Sequence, residues 1–366
     1  MNDTDDINIE IISDPDDFLA LEEKWNFILK ESRINNPFLR HEWLSSWWQA
    51  YGGNKQLYIL KFITNGNTIG YVPFMQYNTC LFHIPIKAIG FLANHWTRME
   101  FILRTHHNKC ILKLVQLLEK IRIPVILAQI DKSSINYDLL LQYVKNKGVF
   151  YYETQKLNAS VIIPACWEEY LKNKSRNFRH TFTKKLRRLE KIGKVELVKL
   201  EHDMDKVINI LKDISSDSWQ TKSNVGIVMT KEGERFYSSI ISKWKDQELI
   251  NIYVLMVNNR AVSYMLGIKY NNCYFAFDTA YRQEMARYSP GAVMHNLLIK
   301  RFVEEGITEL DLGYIAEYKK HWMDKAIQVS DIIIYPNNIK GSILKGLSYL
   351  KKIWQKAYKE CKFNII

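Results

Sequence analysis

The chain has 366 residues, of which 47% are hydrophobic and 25% are charged. These fractions are ordinary for a soluble globular protein and exclude a disordered or fibrous chain, and the length suits two domains. The 51 basic and 39 acidic residues leave a net charge of +12, which predicts an anionic partner such as nucleic acid, a membrane surface or a polyphosphate cofactor.

Cysteine usage and the N-terminus predict a cytoplasmic protein. The cysteines are odd in number, scattered and without a Cys-x-x-Cys pair, so we expect neither a zinc site nor a disulfide framework. The histidines show no metal-binding spacing, and we expect no metal. Residues 1–6 are acidic where a secretory signal needs basic residues, and no apolar run approaches the roughly twenty residues that span a bilayer.

The first half of the chain is predicted to alternate between strands and helices. Apolar positions at helical spacing follow Asp14 and Pro15, and Pro37 breaks that helix. A stripe of tryptophans between 43 and 48 marks the next helix, and we interpret it as core rather than as a ligand site. Strands are expected at 7–12, 57–63, 69–77, 86–91 and 124–129, with further helices at 109–121 and 135–147.

Residues 172–191 form the most basic stretch of the chain, with nine basic residues against one acid. On a helical wheel the apolar residues occupy one narrow stripe, and the opposite face carries Arg176, His180, Lys184, Arg187 and Lys191. This pattern predicts one amphipathic basic helix that ends at Gly193.

The second half is predicted to repeat the order of the first, which favours a tandem architecture. Asn258-Asn259 and Asn271-Asn272 are typical hairpin turns between antiparallel strands. The expected strands are 151–155, 159–163, 194–200, 252–257, 260–269, 273–279, 307–312 and 329–335, and the expected helices are 203–216, 231–243, one that starts near Pro290 and ends at Gly306, and a basic helix at 339–358.

The helix that begins near Pro290 is predicted to bind an anion. Ser289 suits the N-cap, proline suits the first helical position, and Gly291 and Ala292 are small enough to let a ligand reach the backbone. Free amides at a helix start, with the positive end of the dipole, suit a diphosphate. Arg287 would add charge to the same site.

The order of strands, phosphate-ready helix and strand resembles the GNAT superfamily of acyltransferases. In particular it resembles the two-lobed BioF2-like or CelD-like acetyltransferase domain, which is related to the FemABX peptidyltransferases. The matching residues are Tyr288-Ser289-Pro290-Gly291, Asp311 with Gly313, and Tyr318-Lys319-x-x-Trp322. Residues 36–48 are similar to the opening signature of the same family, so the resemblance reaches both ends of the chain.

This resemblance implies an α/β (α+β) fold of two tandem GNAT-like lobes, each a mixed, mostly antiparallel sheet flanked by helices. Residues 1–165 would form a lobe that supports the fold and shapes the substrate cleft. Residues 166–335 would form the acyltransferase lobe, and the basic helix in 336–366 would pack on the lobes.

The resemblance also implies the chemistry. An acyl group, with acetyl-CoA or another acyl-CoA as the donor, would move to an amine of a small molecule, amino sugar or glycan precursor. Lys319 is the candidate for stabilising the oxyanion, and Tyr318 for donating a proton to the thiolate. Asp278 and Asp311, each near a strand end, are candidates for orienting or deprotonating the amine.

For the cofactor, the candidates are Arg287, Ser289, Gly291 and Ala292, although proline occupies the first glycine position of the usual superfamily fingerprint. For the acceptor or the acyl chain, the candidates are Trp219, Glu317 and Trp322.

Other interpretations of these residues and of the chain stay open. Lys319 could be a solvated surface lysine, and the two aspartates could cap turns. The donor could be aminoacyl-tRNA, held by the basic stretch 172–191, or the chain could be a non-enzymatic binder of an anionic polymer or membrane surface.

Overall fold

The computed structural model describes residues 6–93, 97–200, 203–218, 230–244 and 247–363. The chain divides into two compact units, which comprise 1–48, 52–156 and 328–366 in the first and 49–51 and 157–327 in the second. The C-terminal residues 336–366 thus belong to the first unit, together with the N-terminal half.

The strands, in chain order, are β1 (Asn8–Ile12), β2 (Gln56–Leu57), β3 (Ile59–Thr64), β4 (Asn67–Val72), β5 (Phe74–Leu81), β6 (Ile84–Phe91), β7 (Ile102–Leu103), β8 (Val125–Asp131), β9 (Tyr151–Ile162), β10 (Val195–Lys199), β11 (Ile250–Val257), β12 (Arg260–Tyr270), β13 (Cys273–Tyr281), β14 (Glu309–Tyr314) and β15 (Lys325–Ile334).

The α-helices are α1 (Pro15–Leu19), α2 (Glu22–Glu31), α3 (His41–Tyr51), α4 (His107–Lys120), α5 (Ile135–Asn146), α6 (Trp167–Lys172), α7 (Arg176–Glu190), α8 (Met204–Ser216), α9 (Lys231–Trp244), α10 (Pro290–Glu304) and α11 (Ile339–Phe363). Short 3-10 helices lie at Pro37–Leu39, Gln283–Tyr288 and Glu317–His321. Within the described ranges, no helix combines the length and apolar character needed to cross a bilayer.

The first unit contains a small antiparallel sheet in the order β1-β3-β4-β7 and a second sheet in the order β15-β8-β6-β5-β2. In the second sheet only β6 and β8 run parallel among the described pairs. Trp25 and Trp43 are fully buried and Trp47 is nearly so. The prediction that the tryptophans of α3 belong to the core is therefore confirmed for Trp43 and Trp47.

The second unit contains a sheet in the order β10-β11-β12-β13-β14-β9. Its described pairs are antiparallel except for β13 and β14. The predicted meander is confirmed, because Asn258, Asn259, Asn271 and Asn272 all adopt positive φ at its two turns, as two-residue hairpin loops require. One face of this sheet packs against α6, α7 and α10.

The predicted basic helix over 172–191 is confirmed as α7, but it begins four residues later than predicted, at Arg176. It begins there because Ser175 caps it by accepting a hydrogen bond from the Phe178 amide at 3.1 Å, while Lys172 is the last residue of α6. The amphipathic pattern itself is confirmed. Leu171, Phe178, Leu186 and Leu189 pack into the core, while the predicted polar positions 176, 180, 184, 187 and 191 are exposed.

Other predicted boundaries also needed correction. The first predicted helix is two helices, α1 and α2, and the predicted strand over 69–77 is interrupted at Pro73, which has no amide hydrogen for a ladder. The two strands predicted between 151 and 163 are one strand, β9, and the final helix runs five residues past 358, to Phe363.

Candidate active site

The site is organised by two parallel strands that part. β13 and β14 pair only from Cys273 opposite Glu309 to Phe275 opposite Asp311. Beyond these pairs β13 continues to Tyr281 along β12, and β14 continues to Tyr314 along β9. We call the opening between residues 276–281 and residues 312–314 the wedge. The wedge is thus the point at which the two parallel strands diverge, just beyond Asp311.

The start of α10 lies beyond the end of β13, and the structure corrects how it is built. Ser289 occupies the N-cap position but adopts a left-handed conformation, with φ 56° and ψ 52°, and its side chain makes no capping hydrogen bond. The predicted side-chain cap is therefore wrong. Instead the Ser289 carbonyl accepts hydrogen bonds from the amides of Ala292 at 3.1 Å and Val293 at 3.2 Å.

Gly291 presents the open amide at this helix start. Pro290 has no amide hydrogen, and the amides of Ser289 and Ala292 are already bonded within the turn. Within the described part of the chain, the Gly291 amide has no such partner. A Cβ added at Gly291 would meet only the Tyr281 ring, at 3.6 Å. The backbone is thus accessible next to the end of β13.

Lys319 lies at the edge of β14. Its Nζ donates to the carbonyl of Leu312 at 2.6 Å and to that of Tyr314 at 3.0 Å. Because the next residue, Ile315, donates to Leu157 on β9, the Tyr314 carbonyl faces the opposite edge of β14, toward the wedge. The ammonium group of Lys319 is therefore placed on the wedge side of the strand.

Lys319 is flanked by a carboxylate and an imidazole. Burial lowers the pKa of Lys319 to about 8, and the Asp311 carboxylate opposes that shift. His295 of α10, which is buried, also lies near Lys319. Burial, and then the nearby charge of Lys319, lower the pKa of His295 to about 4. At neutral pH the imidazole is uncharged, and Lys319 is mostly but not wholly protonated.

His295 is a functional candidate that the sequence did not reveal. Its ring lies 4.7 Å from the Trp322 ring, and its buried Nδ1 has no hydrogen-bond partner within the part of the chain that the structure describes. In the sequence, His295 precedes Leu298, Ile299 and Phe302 by three, four and seven residues. That spacing marks the buried face of α10, but a histidine on it is usually only core.

Trp322 is a core residue, and it fixes the turn that carries Lys319. Its Nε1 donates to Asn296 at 3.3 Å, and its carbonyl accepts from Lys174 at 3.0 Å. Lys174 also pairs with Asp324, whose second oxygen accepts from the Ile162 amide at 3.1 Å. The 3-10 helix of Lys319 is thereby tied to α10, to the turn before α7 and to β9.

Asp311 and Asp278, the two candidate bases, are placed differently. Asp311 accepts a hydrogen bond from the Gly313 amide at 2.7 Å, and its carboxylate lies near Lys319. Asp278 accepts the hydroxyls of Tyr237 and Tyr264, each at 2.9 Å. Burial and the Asp278 charge raise the pKa of both phenols well above 10. Asp278 is thus engaged in a buried phenol cluster, whereas Asp311 lies next to the candidate lysine.

Of the four remaining candidate residues, three are exposed and one lies outside the described residues. Partial burial, and then the nearby Tyr281, raise the pKa of Tyr318. Arg287 is exposed and stacks on Tyr288 at 4.8 Å. Glu317 is exposed and pairs with Lys320 at 2.6 Å. Trp219, the fourth, lies outside the described residues.

Metal chemistry is not indicated by the described residues. Across the ranges that the structure covers, no group of three or more His, Cys, Asp or Glu side chains is arranged to hold a metal ion. Cys80, Cys110, Cys166 and Cys273 are free thiols. The titratable side chains that the structure brings close to Lys319 are Asp311 and His295.

Comparison with known proteins identifies the region that holds this site. Residues 176–321 match the family model described as acetyltransferase (GNAT) domain. This range contains the wedge, α10 and Lys319. No protein of curated function matches the chain significantly.

Solved structures share the fold over nearly the whole chain. FemX is 9% identical with a TM-score of 0.55, and the match covers 89% of this chain and 96% of FemX. The C-terminal domain of a putative lysylphosphatidylglycerol synthetase from Agrobacterium fabrum is 10% identical with a TM-score of 0.53, covering 92% and 96%. L-PGS from Bacillus licheniformis is 11% identical with a TM-score of 0.52, covering 92% and 96%. At these identities the similarity shows a common fold.

Proposed function

We propose that this chain is an acyltransferase that moves an acyl group from an acyl-CoA to an amine. The match of residues 176–321 to the acetyltransferase (GNAT) domain and the fold shared with FemX support this proposal. The acceptor would be an amine of a small molecule, amino sugar or glycan precursor. The observation that carries this proposal is the position of the Lys319 ammonium on the wedge side of β14.

An acyl-CoA donor suits two features of the second unit, the Gly291 amide and the wedge. A diphosphate oxygen would accept a hydrogen bond from the Gly291 amide at the positive end of α10. An extended pantetheine arm would lie between the diverging strands β13 and β14, which would bring the thioester near Lys319. The exposed Arg287 guanidinium could add a charged contact to the phosphates.

The reaction makes one bond and breaks one. The neutral amine nitrogen attacks the thioester carbonyl, the carbonyl oxygen becomes an oxyanion, and collapse breaks the C–S bond to release the thiolate. The Lys319 ammonium would stabilise the oxyanion. Asp311 would orient the amine and take its proton, and the thiolate would take a proton from Tyr318 or Lys319.

The donor is tested by isothermal titration with acetyl-CoA and longer acyl-CoAs. We expect binding to at least one of them and, with a suitable amine, formation of its amide detected by mass spectrometry. Absence of binding to every acyl-CoA would overturn the choice of donor. Mass spectrometry of whatever co-purifies with the protein gives an independent check, because a retained CoA species is expected only if acyl-CoA is the donor.

A second candidate donor is aminoacyl-tRNA, and the surface of α7 favours it. Arg176, Lys184, Arg187, Arg188 and Lys191 are exposed. Among the described ion pairs, none of them has a carboxylate partner. Neutralising several phosphates makes affinity fall steeply with salt. The idea fails if tRNA retention is unchanged between low and moderate salt, or if charge reversal at Arg176, Arg187 and Lys191 leaves it unchanged.

A further inference from the structure

The C-terminal helix α11 is held to the first unit by one face. Leu344 is fully buried and Ser348 almost so, and the Ser348 hydroxyl bonds to Tyr335. Gly341 lies against the chain at Pro336 so closely that a Cβ there would meet the Pro336 carbonyl oxygen at 1.9 Å. Residues 341, 344 and 348 follow the three- and four-residue spacing of a single helix face.

The opposite face of α11 is apolar and exposed. Ile339 is 83% exposed, Ile343 is 54% exposed and Leu350 is 57% exposed. Their separations of four and seven residues place all three on one side of the helix. Single exposed apolar residues are common, but a row along one helix is typical of a surface that binds something.

The same helix carries only positive charge where its side chains are described. Residues 339–351 include Lys340, Lys345 and Lys351 and no acid. Lys351 lies 5.7 Å from the Phe82 ring, and no described ion pair involves these lysines. From 352 to 363 the sequence adds four lysines, at 352, 356, 359 and 362, against one acid, Glu360.

We propose that α11 binds an anionic membrane surface. An amphipathic helix with an exposed apolar face and a lysine-rich flank lies in the plane of the interface, where its apolar residues enter the acyl boundary and its lysines pair with anionic headgroups. The row at Ile339, Ile343 and Leu350 supplies the apolar contact. The lysines, which have no carboxylate partner among the described ion pairs, supply charge complementarity. The chain would thus be a peripheral membrane protein through its first unit, whatever the acyl donor is.

The test is co-sedimentation of the full chain with vesicles of neutral phosphatidylcholine and of phosphatidylcholine mixed with phosphatidylglycerol. The key variant is Ile343→Asp with Leu350→Asp, which places carboxylates on the exposed face and leaves Leu344 and Ser348 untouched. Phe27→Asp is the matched control, because Phe27 is a similarly exposed apolar residue of α2. Arg187→Glu with Lys191→Glu tests whether α7 binds the vesicles instead.

We expect binding to the anionic vesicles that weakens as salt is raised and falls at least tenfold in the α11 variant. The Phe27 control should bind like the unchanged protein. The proposal is overturned if the protein does not bind anionic vesicles, or if the α11 variant binds as well as the control. It is also overturned if light scattering shows a concentration-dependent dimer that the α11 variant abolishes, because a second copy would then cover the face. Circular dichroism confirms that the variants are folded.

Discussion

At the scale of single residues, the proposed mechanism depends most on Lys319. Burial brings its pKa to about 8, so its charge is present below that pH and lost above it. An oxyanion needs the protonated form. The hydrogen bonds from Lys319 to the Leu312 and Tyr314 carbonyls hold the ammonium group on the wedge side of β14.

The first prediction is that kcat/KM with a fixed acceptor declines on an alkaline limb near pH 8. Lys319→Met should lower kcat roughly 100-fold, as removal of an oxyanion donor does. Lys319→Arg should shift the limb upward, because guanidinium stays charged. Lys320→Met is the control, since Lys320 is exposed and pairs only with exposed Glu317 among the described ion pairs. An unchanged pH profile in Lys319→Met would remove Lys319 from the mechanism.

The second prediction concerns His295, whose folded-state pKa of about 4 lies below its ordinary 6.5. Between these values the unfolded chain binds a proton that the folded chain does not, so stability is lost as the pH falls from 6.5 toward 4. Between pH 7 and pH 5 the loss is roughly 2 kcal/mol. His295→Phe keeps a ring against Trp322 and should remove this part of the loss.

Thermal unfolding at pH 7 and pH 5 measures that difference directly. The exposed His180 gives the matched control, His180→Phe, which should keep the acid sensitivity of the unchanged protein. An equal loss of stability in His295→Phe and in the unchanged protein would show that His295 is not buried in its neutral form.

Sequence and structure agree on some of these residues for a physical reason. The Tyr-Lys-x-x-Trp spacing is local, so it located Lys319 and Trp322 together. The function of a histidine depends on which helix face is buried and what packs above it, and both are long-range facts. The same holds for Asp278, whose phenol partners Tyr237 and Tyr264 are distant in sequence.

At the scale of elements, α10 is the part that would bind the phosphates. The sequence located its start correctly, but the cap chemistry was wrong because Ser289 adopts a left-handed backbone that turns its side chain from the amides. The open donor is thus the Gly291 amide rather than a cluster of several. This makes Gly291 a single position where the binding of the donor can be tested.

The third prediction is that Gly291→Asp weakens acyl-CoA binding at least tenfold. The new Cβ has room beside Tyr281, and an acidic residue stabilises a helix start, so the fold should persist while the carboxylate repels a diphosphate. Gly291→Ala adds the Cβ without the charge and should bind nearly as well as the unchanged protein. Titration calorimetry compares the three, and equal affinity in Gly291→Asp would place the phosphates elsewhere.

Element boundaries show where sequence patterns reach their limit. The hairpins at Asn258-Asn259 and Asn271-Asn272 were predictable because turn chemistry is local. The break between α6 and α7 was not, because the basic and apolar pattern continues across Ser175. The wedge was also beyond sequence, since it depends on where the pairing of β13 with β14 stops.

At the scale of the whole molecule, the residues of the proposed donor site all lie in the second unit. The sequence suggested tandem lobes from the repeated order of elements, and the shared fold with FemX confirms that architecture. The sequence alone could not show that the chain returns to the first unit at residue 328. Strand pairing such as that of β15 with β8 joins residues about two hundred positions apart.

The fourth prediction follows from this division. Saturating acetyl-CoA should slow hydrogen exchange in peptides that cover residues 276–296 and 309–322, because ligand contact stabilises those segments. Peptides that cover β5 and β6 of the first unit should exchange at unchanged rates. Protection confined to the first unit would contradict the assignment of the donor to the second.

The most direct test of the central claim is a crystal structure of the protein with acetyl-CoA. We expect the diphosphate at the Gly291 amide and the thioester in the wedge, with its carbonyl oxygen about 3 Å from the Lys319 Nζ. A thioester bound away from β13 and β14, or a Lys319 ammonium directed away from it, would contradict the account.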